Sequence, residues 1–142
     1  MKQTQAFLST YTADVSGVCS ALFELGGMTV MHDASGCNST YNTHDEPRWY
    51  DMDSLVFISG LSELEAVMGD DEKLITDIVD AARQLHPRFI ALSGTPIPMI
   101  TGCDLPAIAR EVEGRTKIPS FAVPSNGIGT YVAGAGQALR LY

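Results

Sequence analysis

Three cysteines, Cys19, Cys37 and Cys103, are the residues of this 142-residue chain best suited to chemistry. Cys37 ends the run His32-Asp33-Ala34-Ser35-Gly36-Cys37, where a thiol stands among small and polar residues. Thiolates ligate metals or act as nucleophiles. A conventional zinc site needs three or four Cys or His ligands with one closely spaced pair. These cysteines are 18 and 66 residues apart, so no such pair exists. A cubane iron–sulfur cluster normally takes four thiolates, which two chains meeting on a twofold axis could supply together. A cysteine hydrolase built on Cys37 with His32 or His44 is a second reading, because nucleophile and base need only hydrogen-bond reach. No G-x-S-x-G pattern accompanies it, and only Asp33 or Asp45 could orient the base. The bland reading is that free cysteines are small buried hydrophobes. That suits Cys19 on an apolar helix face better than Cys37 in a polar turn.

The elements that must position these residues alternate. A helix is predicted over Ala13 to Leu25, with Val15, Val18, Cys19, Leu22, Phe23 and Leu25 along one stripe. Asp14 or Thr12 is its expected cap, and Gly26-Gly27 ends it. Met28 to Met31 reads as a first strand, Cys37 to Tyr41 as the start of a short helix, and Asn42 to Asp53 as an irregular connection with Trp49 and Tyr50. Ser54 to Ser59 is a nearly continuous apolar run, the pattern of a buried parallel strand. Helices follow over Leu61 to Met68 and Asp71 to Leu85, the latter with an apolar stripe of Leu74, Ile75, Ile78, Val79, Ala82 and Leu85. Arg88 to Ser93 is a third strand ending in a Gly/Thr/Pro turn. Asp104 to Val112 is a helix with Pro106 in its first turn. Ile118 to Val123 is a fourth strand, which Pro119 forces to start late or lie near an edge. Tyr131 to Leu141 is a last helix.

Strands alternating with helices give an α/β domain with a parallel sheet of about four strands and flanking helices. The turns at 33–36, 60–62, 94–98 and 125–129 then align on one sheet edge, where open α/β sheets place ligands. Neither a G-x-G-x-x-G before a helix nor a phosphate-loop motif is present.

Composition narrows the function. A net charge of −8 argues against nucleic acid, whose binding needs Lys and Arg on phosphates. No apolar run approaches the roughly 20 residues of a membrane helix. Residues 1–12 carry one Lys and no apolar block, so the expectation is no export signal, a cytoplasmic protein, and reduced thiols rather than disulfides. No internal repeat or interdomain linker appears, so residues 1–142 read as one domain.

Taken together, Gly17-Val-Cys19-Ser-Ala21, then His32-x-x-x-Gly36-Cys37, then Leu55-Val-Phe-Ile-Ser-Gly60 with Glu72-Lys73-Leu74, then Ser93 to Leu105, resemble the N-terminal domain of the nitrogenase component 1 family. The likeness runs in order over almost the whole chain. It implies a Rossmann-like domain whose cysteines hold an iron–sulfur cluster at a subunit interface. That cluster would be fed by an ATP-dependent reductase like the nitrogenase iron protein. Cys19 and Cys37 match the family's first two cluster cysteines.

The third does not match. In the turn after Ser93, Thr95 or Pro96 occupies the ligand position, and Cys103 falls where an acidic residue is usual. Cys103 is therefore expected to be a helix-start residue and not a ligand. The resemblance then favours a four-iron (4Fe-4S) cluster shared by two chains, a homodimer or a pair with a related subunit. In it Cys19 and Cys37 are ligands, Gly36 admits close backbone approach, Asp33 and Ser35 tune the site, and Thr95 lies nearby without ligating. The family's later domains have no counterpart here, so the chain by itself is not expected to complete a catalytic cycle. The rival from another class is a non-enzymatic scaffold holding a metallocluster or tetrapyrrole precursor. A third reading is a remnant with no cluster.

Overall fold

The structure, a computed structural model, describes residues 13–34, 36, 38, 48, 51 and 54–142. Its elements in chain order are helix α1 (Asp14–Leu22), a 3-10 turn (Phe23–Leu25), strands β1 (Met28–His32) and β2 (Val56–Ile58), helices α2 (Glu63–Met68) and α3 (Asp71–Leu85), strand β3 (Ile90–Gly94), helices α4 (Pro96–Thr101) and α5 (Leu105–Thr116), strand β4 (Ser120–Val123) and helix α6 (Tyr131–Leu141). The four strands form one parallel sheet in the order β2-β1-β3-β4, with Met31 opposite Ile58 and Ser93, and Ser93 opposite Val123. The expected α/β fold with its four-stranded parallel sheet and flanking helices is the one observed.

Strand alternation sends side chains to two helical layers. On one face Met28, Val30, Ile90 and Leu92 pack with Leu74, Ile75, Ile78 and Val79 of α3 and with Ile108, Ala109 and Val112 of α5. On the other, Met31 and Val56 pack with Val15, Cys19 and Phe23, while Ala91 and Val123 pack with Val18, Leu22 and Ala138. The stripes on α1 and α3 are the ones their periodicity predicts, except that Leu85 is exposed. Helix α3 begins where Asp70 Oδ1 accepts from the Glu72 amide (3.2 Å) and ends at His86 in the left-handed region, with Pro87 barring continuation.

Several expectations need correction. The run Ser54–Ser59 forms only three residues of strand, at the sheet edge, and Phe57 is 36% exposed. An apolar run looks alike in a central and an edge strand, because pairing partners lie elsewhere in the chain. The turn after β3 is a helix, α4, whose prolines at 96 and 98 lack amides that a first turn leaves unpaired anyway. Helix α5 continues past Val112 to Thr116. Asp14 is not the N-cap of helix α1. Ala13 is its N-cap without a side-chain bond, and Thr12 lies outside the described residues. Also outside them are Ser35, Cys37, His44, Trp49, Tyr50 and most of the expected helix and connection at 37–53.

Helices α1 and α6 meet backbone to backbone. A Cβ on Gly17 would stand 2.0 Å from the Tyr131 carbonyl oxygen, and one on Gly134 1.9 Å from that of Asp14. Only hydrogen fits at either position.

Candidate site at the C-terminal edge of the sheet

Each strand ends in a hydroxyl or carbonyl that is bonded to the next strand's end. At the β2 end, Ser59 Oγ lies 2.8 Å from His32 Nδ1, accepts from the Asp33 amide (3.1 Å) and lies 3.2 Å from the Asp33 carbonyl oxygen. Between β1 and β3, Thr95 Oγ1 donates to the His32 carbonyl (3.0 Å). Thr95 is thus the N-cap of α4 with its hydroxyl spent on the strand and not on the helix. Between β3 and β4, Ser125 Oγ lies 2.8 Å from Ser93 Oγ and accepts from the Gly94 amide (3.0 Å). The loop after β4 is tied back to α1 by Asp14, whose buried carboxylate accepts from the amides of Val15 (2.8 Å), Asn126 (3.0 Å) and Gly127 (2.8 Å).

This lacing crosses the point between β1 and β3 where the chain reverses its direction of winding, the usual ligand crevice of such sheets. Ser59 and Ser125 were not singled out from sequence, and Asp14 was read only as a helix cap. The available signal was weak: a serine one or two residues past an apolar run, and an acid at a helix start.

The predicted site residues divide as follows. Cys19 sits on α1 with no exposed surface, packed with Val15, Phe23, Met31 and Val56. Burial pushes its thiol up to about 12. Asp33 is half-buried, and its Oδ2 accepts from Asn38 Nδ2. Gly36 is exposed, and a Cβ there would meet nothing within 4 Å among the described residues. Thr95 is buried at the β1–β3 junction. His32 is buried too. Desolvation lowers its pKa, against the opposing pull of Asp71, Asp33 and Glu65. Arg48 reaches α1: its guanidinium donates to the Ser20 carbonyl (2.8 Å), pairs with Glu24 (3.3 Å) and lies 4.9 Å above the Phe23 ring.

Cys103 precedes α5 and packs against the α3/α5 face, its Sγ 3.8 Å from Asp71 Oδ1. Burial raises its thiol to about 11, helped by Asp71. Cys19 and Cys103 therefore lie on opposite faces of the sheet, and one chain cannot bring both to a single ion.

No group of three or more His, Cys, Asp or Glu side chains among the described residues is placed to hold a metal. Cys19 fits a sulfur-ligated cluster as one donor. Its surroundings are apolar and dry, and a bound cation takes the place of the proton that burial otherwise holds on the thiol.

No helix among the described residues is long and apolar enough to cross a membrane. Known proteins resemble this geometry. The chain is 25% identical over 115 residues to the nitrogenase molybdenum-iron protein beta chain of Bradyrhizobium diazoefficiens, an alignment covering 78% of this chain and 22% of that one. Solved structures of nitrogenase Cp1 at pH 5 and at pH 6.5 superpose with TM-scores of 0.74 and 0.76 at 19% identity. They cover 97% and 99% of this chain and 30% and 29% of theirs, and they share its fold. The chain thus spans under a third of the length of these relatives. The model of the family described as nitrogenase component 1 type oxidoreductase matches residues 14–141, nearly everything from the first helix to the last, and the chain belongs to that family.

Proposed function

We propose that this chain is a domain or subunit of a nitrogenase component 1-like oxidoreductase that relays electrons through an iron–sulfur cluster at a subunit interface. Cys19 and Cys37 from each of two chains are the sulfur ligands of a shared four-iron cluster. The observation that supports this reading best is the position of Cys19. It is the sulfur donor of α1, packed against Met31 of β1, the strand that precedes Gly36 and Cys37 in the sequence. When bound, such a cluster supplies one-electron redox chemistry.

The chain's own residues hold and surround the cluster. Gly36 lets the backbone approach the cluster, Asp33 and Ser35 tune it through polar contacts, and Thr95 lies nearby without ligating it. Cys19 has no exposed surface in the single chain, so loading the cluster opens the packing of Val15, Phe23 and Val56 around it. The second subunit is a copy of this chain or a relative, and the electron donor is an ATP-dependent reductase of the iron-protein kind. Residues 1–142 stand for the family's N-terminal domain, acting in the cytoplasm, with the substrate cavity completed by other parts of the assembly.

The test is iron and acid-labile sulfide per chain, on protein purified without oxygen, for the parent and for Cys19→Ser, Cys37→Ser and Cys103→Ser. About four irons per dimer are expected, lost in the first two variants and kept in the third. No iron after reconstitution would sink the electron-relay reading, and loss in the third variant would add Cys103 to the ligands. Reduction of the loaded cluster only with the reductase and ATP separates a relay from a scaffold that merely carries the cluster.

A further inference from the structure

Eight of the nine Lys and Arg residues are described, and Lys2 lies outside them. Arg48, Lys73, Arg83 and Arg115 each pair with an acid. Arg88, Arg110, Lys117 and Arg140 form no ion pair among the described residues. All four stand at the end of the sheet where the strands begin, opposite the laced edge. The Arg88 amide donates to the Gly26 carbonyl (2.9 Å) ahead of β1, and its Cδ would lie 2.7 Å from a Cβ on Gly26. Arg110 and Lys117 line a groove of roughly 440 Å³ that reaches Pro119, just ahead of β4. Tyr142, two residues past Arg140, meets the Phe89 ring at 5.1 Å, just ahead of β3.

Helix dipoles draw basic residues into last turns, which accounts for Arg83, Arg115 and Arg140 at the ends of α3, α5 and α6. They do not account for Arg110 within α5, Arg88 ahead of a strand, or Lys117 beyond the last turn. Asp80 and Glu111 are taken by Arg83 and Arg115, and Glu113, which forms no ion pair, lines the groove. Three cations thus face one free acid in a chain whose net charge is −8.

Lys117 carries a further mark. It caps the C-terminus of α5 at φ 62°, a left-handed conformation for which glycine is the ordinary residue, as at Gly69 and Gly102 after α2 and α4. His86 does likewise after α3, so both caps at this end bear side chains where glycine would be less strained. Departures of this kind gather at functional positions.

We propose that the groove between Arg110, Lys117 and the start of β4, with Arg88 beside it, docks an acidic segment of a second protein. Its carboxylates supply the partners that the three cations lack, in charge-assisted hydrogen bonds. Nucleic acid carries one charge per roughly 1.7 Å, and an anionic membrane spreads its charge over a plane. Both would meet the acidic bulk of the molecule as well as the groove. A short segment interacts chiefly with charges within a Debye length of about 8 Å, where the balance is positive. Self-association through the groove would set the same cations of two copies against each other. The groove lies at the far end of the sheet from the proposed cluster and does not depend on it.

The probe is a short peptide of alternating glutamate and glycine, titrated into the isotope-labelled full chain and followed by NMR. The comparators are its lysine counterpart, inorganic tripolyphosphate, a DNA duplex and phosphatidylserine vesicles. Shifts are expected at 88 and 110–119 with the acidic peptide, weakening as salt rises. Affinity should fall about tenfold in Arg110→Gln/Lys117→Gln and about threefold in Arg88→Gln, and should rise about threefold in Glu113→Gln. Lys73→Gln, which removes a lysine already paired with Glu65 (3.2 Å), should bind like the parent. Lys117→Gly separates charge from folding, because it should weaken binding while raising Tm by relieving the left-handed side chain. Unchanged affinity in the Arg110/Lys117 double variant, or an equal loss in Lys73→Gln, would overturn the proposal. So would tighter binding of tripolyphosphate, DNA or vesicles than of the acidic peptide, or a dimer that the double variant abolishes.

Discussion

Two glycines on one helix should respond to the same substitution with opposite signs. Gly134→Ala places a Cβ 1.9 Å from the Asp14 carbonyl oxygen, and Gly17→Ala places one 2.0 Å from that of Tyr131. Backbone atoms cannot rotate out of the way. Restoring even a tight contact of 3.4 Å requires α1 and α6 to part by about 1.4 Å, over a face that buries Val18, Leu22 and Ala138. Overpacking of that kind costs about 1–3 kcal/mol, with the upper end expected where backbone opposes it. Unfolding entropy scales with chain length, so 3 kcal/mol in 142 residues corresponds to a drop of about 10 °C in Tm. Gly136 stands two residues away on the same helix with nothing within 4 Å of its would-be Cβ. There alanine gains about 0.5–1 kcal/mol from helix propensity and a less flexible unfolded chain, a rise of about 2–3 °C. Thermal unfolding by circular dichroism, backed by urea titration, reads all three variants. Gly17→Ala or Gly134→Ala within 1 °C of the parent (roughly 0.3 kcal/mol) would refute the backbone-contact reasoning. So would a loss in Gly136→Ala as large as theirs.

Other perturbations probe the lacing and the thiols. Asp14→Ala strips the acceptor from the amides of Asn126 and Gly127 and should cost about 3–5 kcal/mol in urea unfolding, with Asp14→Asn losing less than half as much. Glu65 is held down to about 2 by the Ser62 amide and hydroxyl and by Lys73. Its carboxylate therefore supports α2 fully above the ordinary glutamate value of 4.5, and that support is lost progressively as pH falls from there toward 2. An NMR titration should place its midpoint far below that of the other glutamates, and Ser62→Ala should raise it. Cys19 and Cys103, with thiols raised to about 12 and 11, should react slowly with a thiol reagent at pH 8 in the native apo protein and fast in urea. The unfolded chain then ionises both thiols first as pH rises past 9, so stability should fall with pH between 9 and 11. Flat stability over that interval would mean that the thiols are less buried than described.

Much of the fold was written in local periodicity. The stripe Leu74, Ile75, Ile78, Val79, Ala82 repeats at helical spacing and faces the sheet where spacing places it, because a helix is stabilised by neighbours three and four residues away. The β1 and β3 runs likewise became central strands of a parallel sheet. The α4 helix was hidden because Pro96 and Pro98 read as turn punctuation, although both occupy first-turn positions that need no amide. The edge position of β2 was hidden because strand order depends on contacts between segments far apart in sequence.

The site shows the same division. Residue type and neighbours singled out Cys37, and the resemblance to the family added Cys19 and Gly36 and marked Cys103 as a helix-start residue. The alternation of strands and helices put the turns after the strands on one edge, since parallel strands share a direction. Only the tertiary structure decided that Cys19 is wholly buried against Met31 while Cys103 packs on the opposite face. It alone tied His32, Thr95, Ser59 and Ser125 into one laced edge, and it turned the Asp14 carboxylate toward a loop more than a hundred residues away. Residue type and spacing propose a chemistry, but burial and the facing partner of each side chain come from segments that meet only when the sheet closes over its two helical layers.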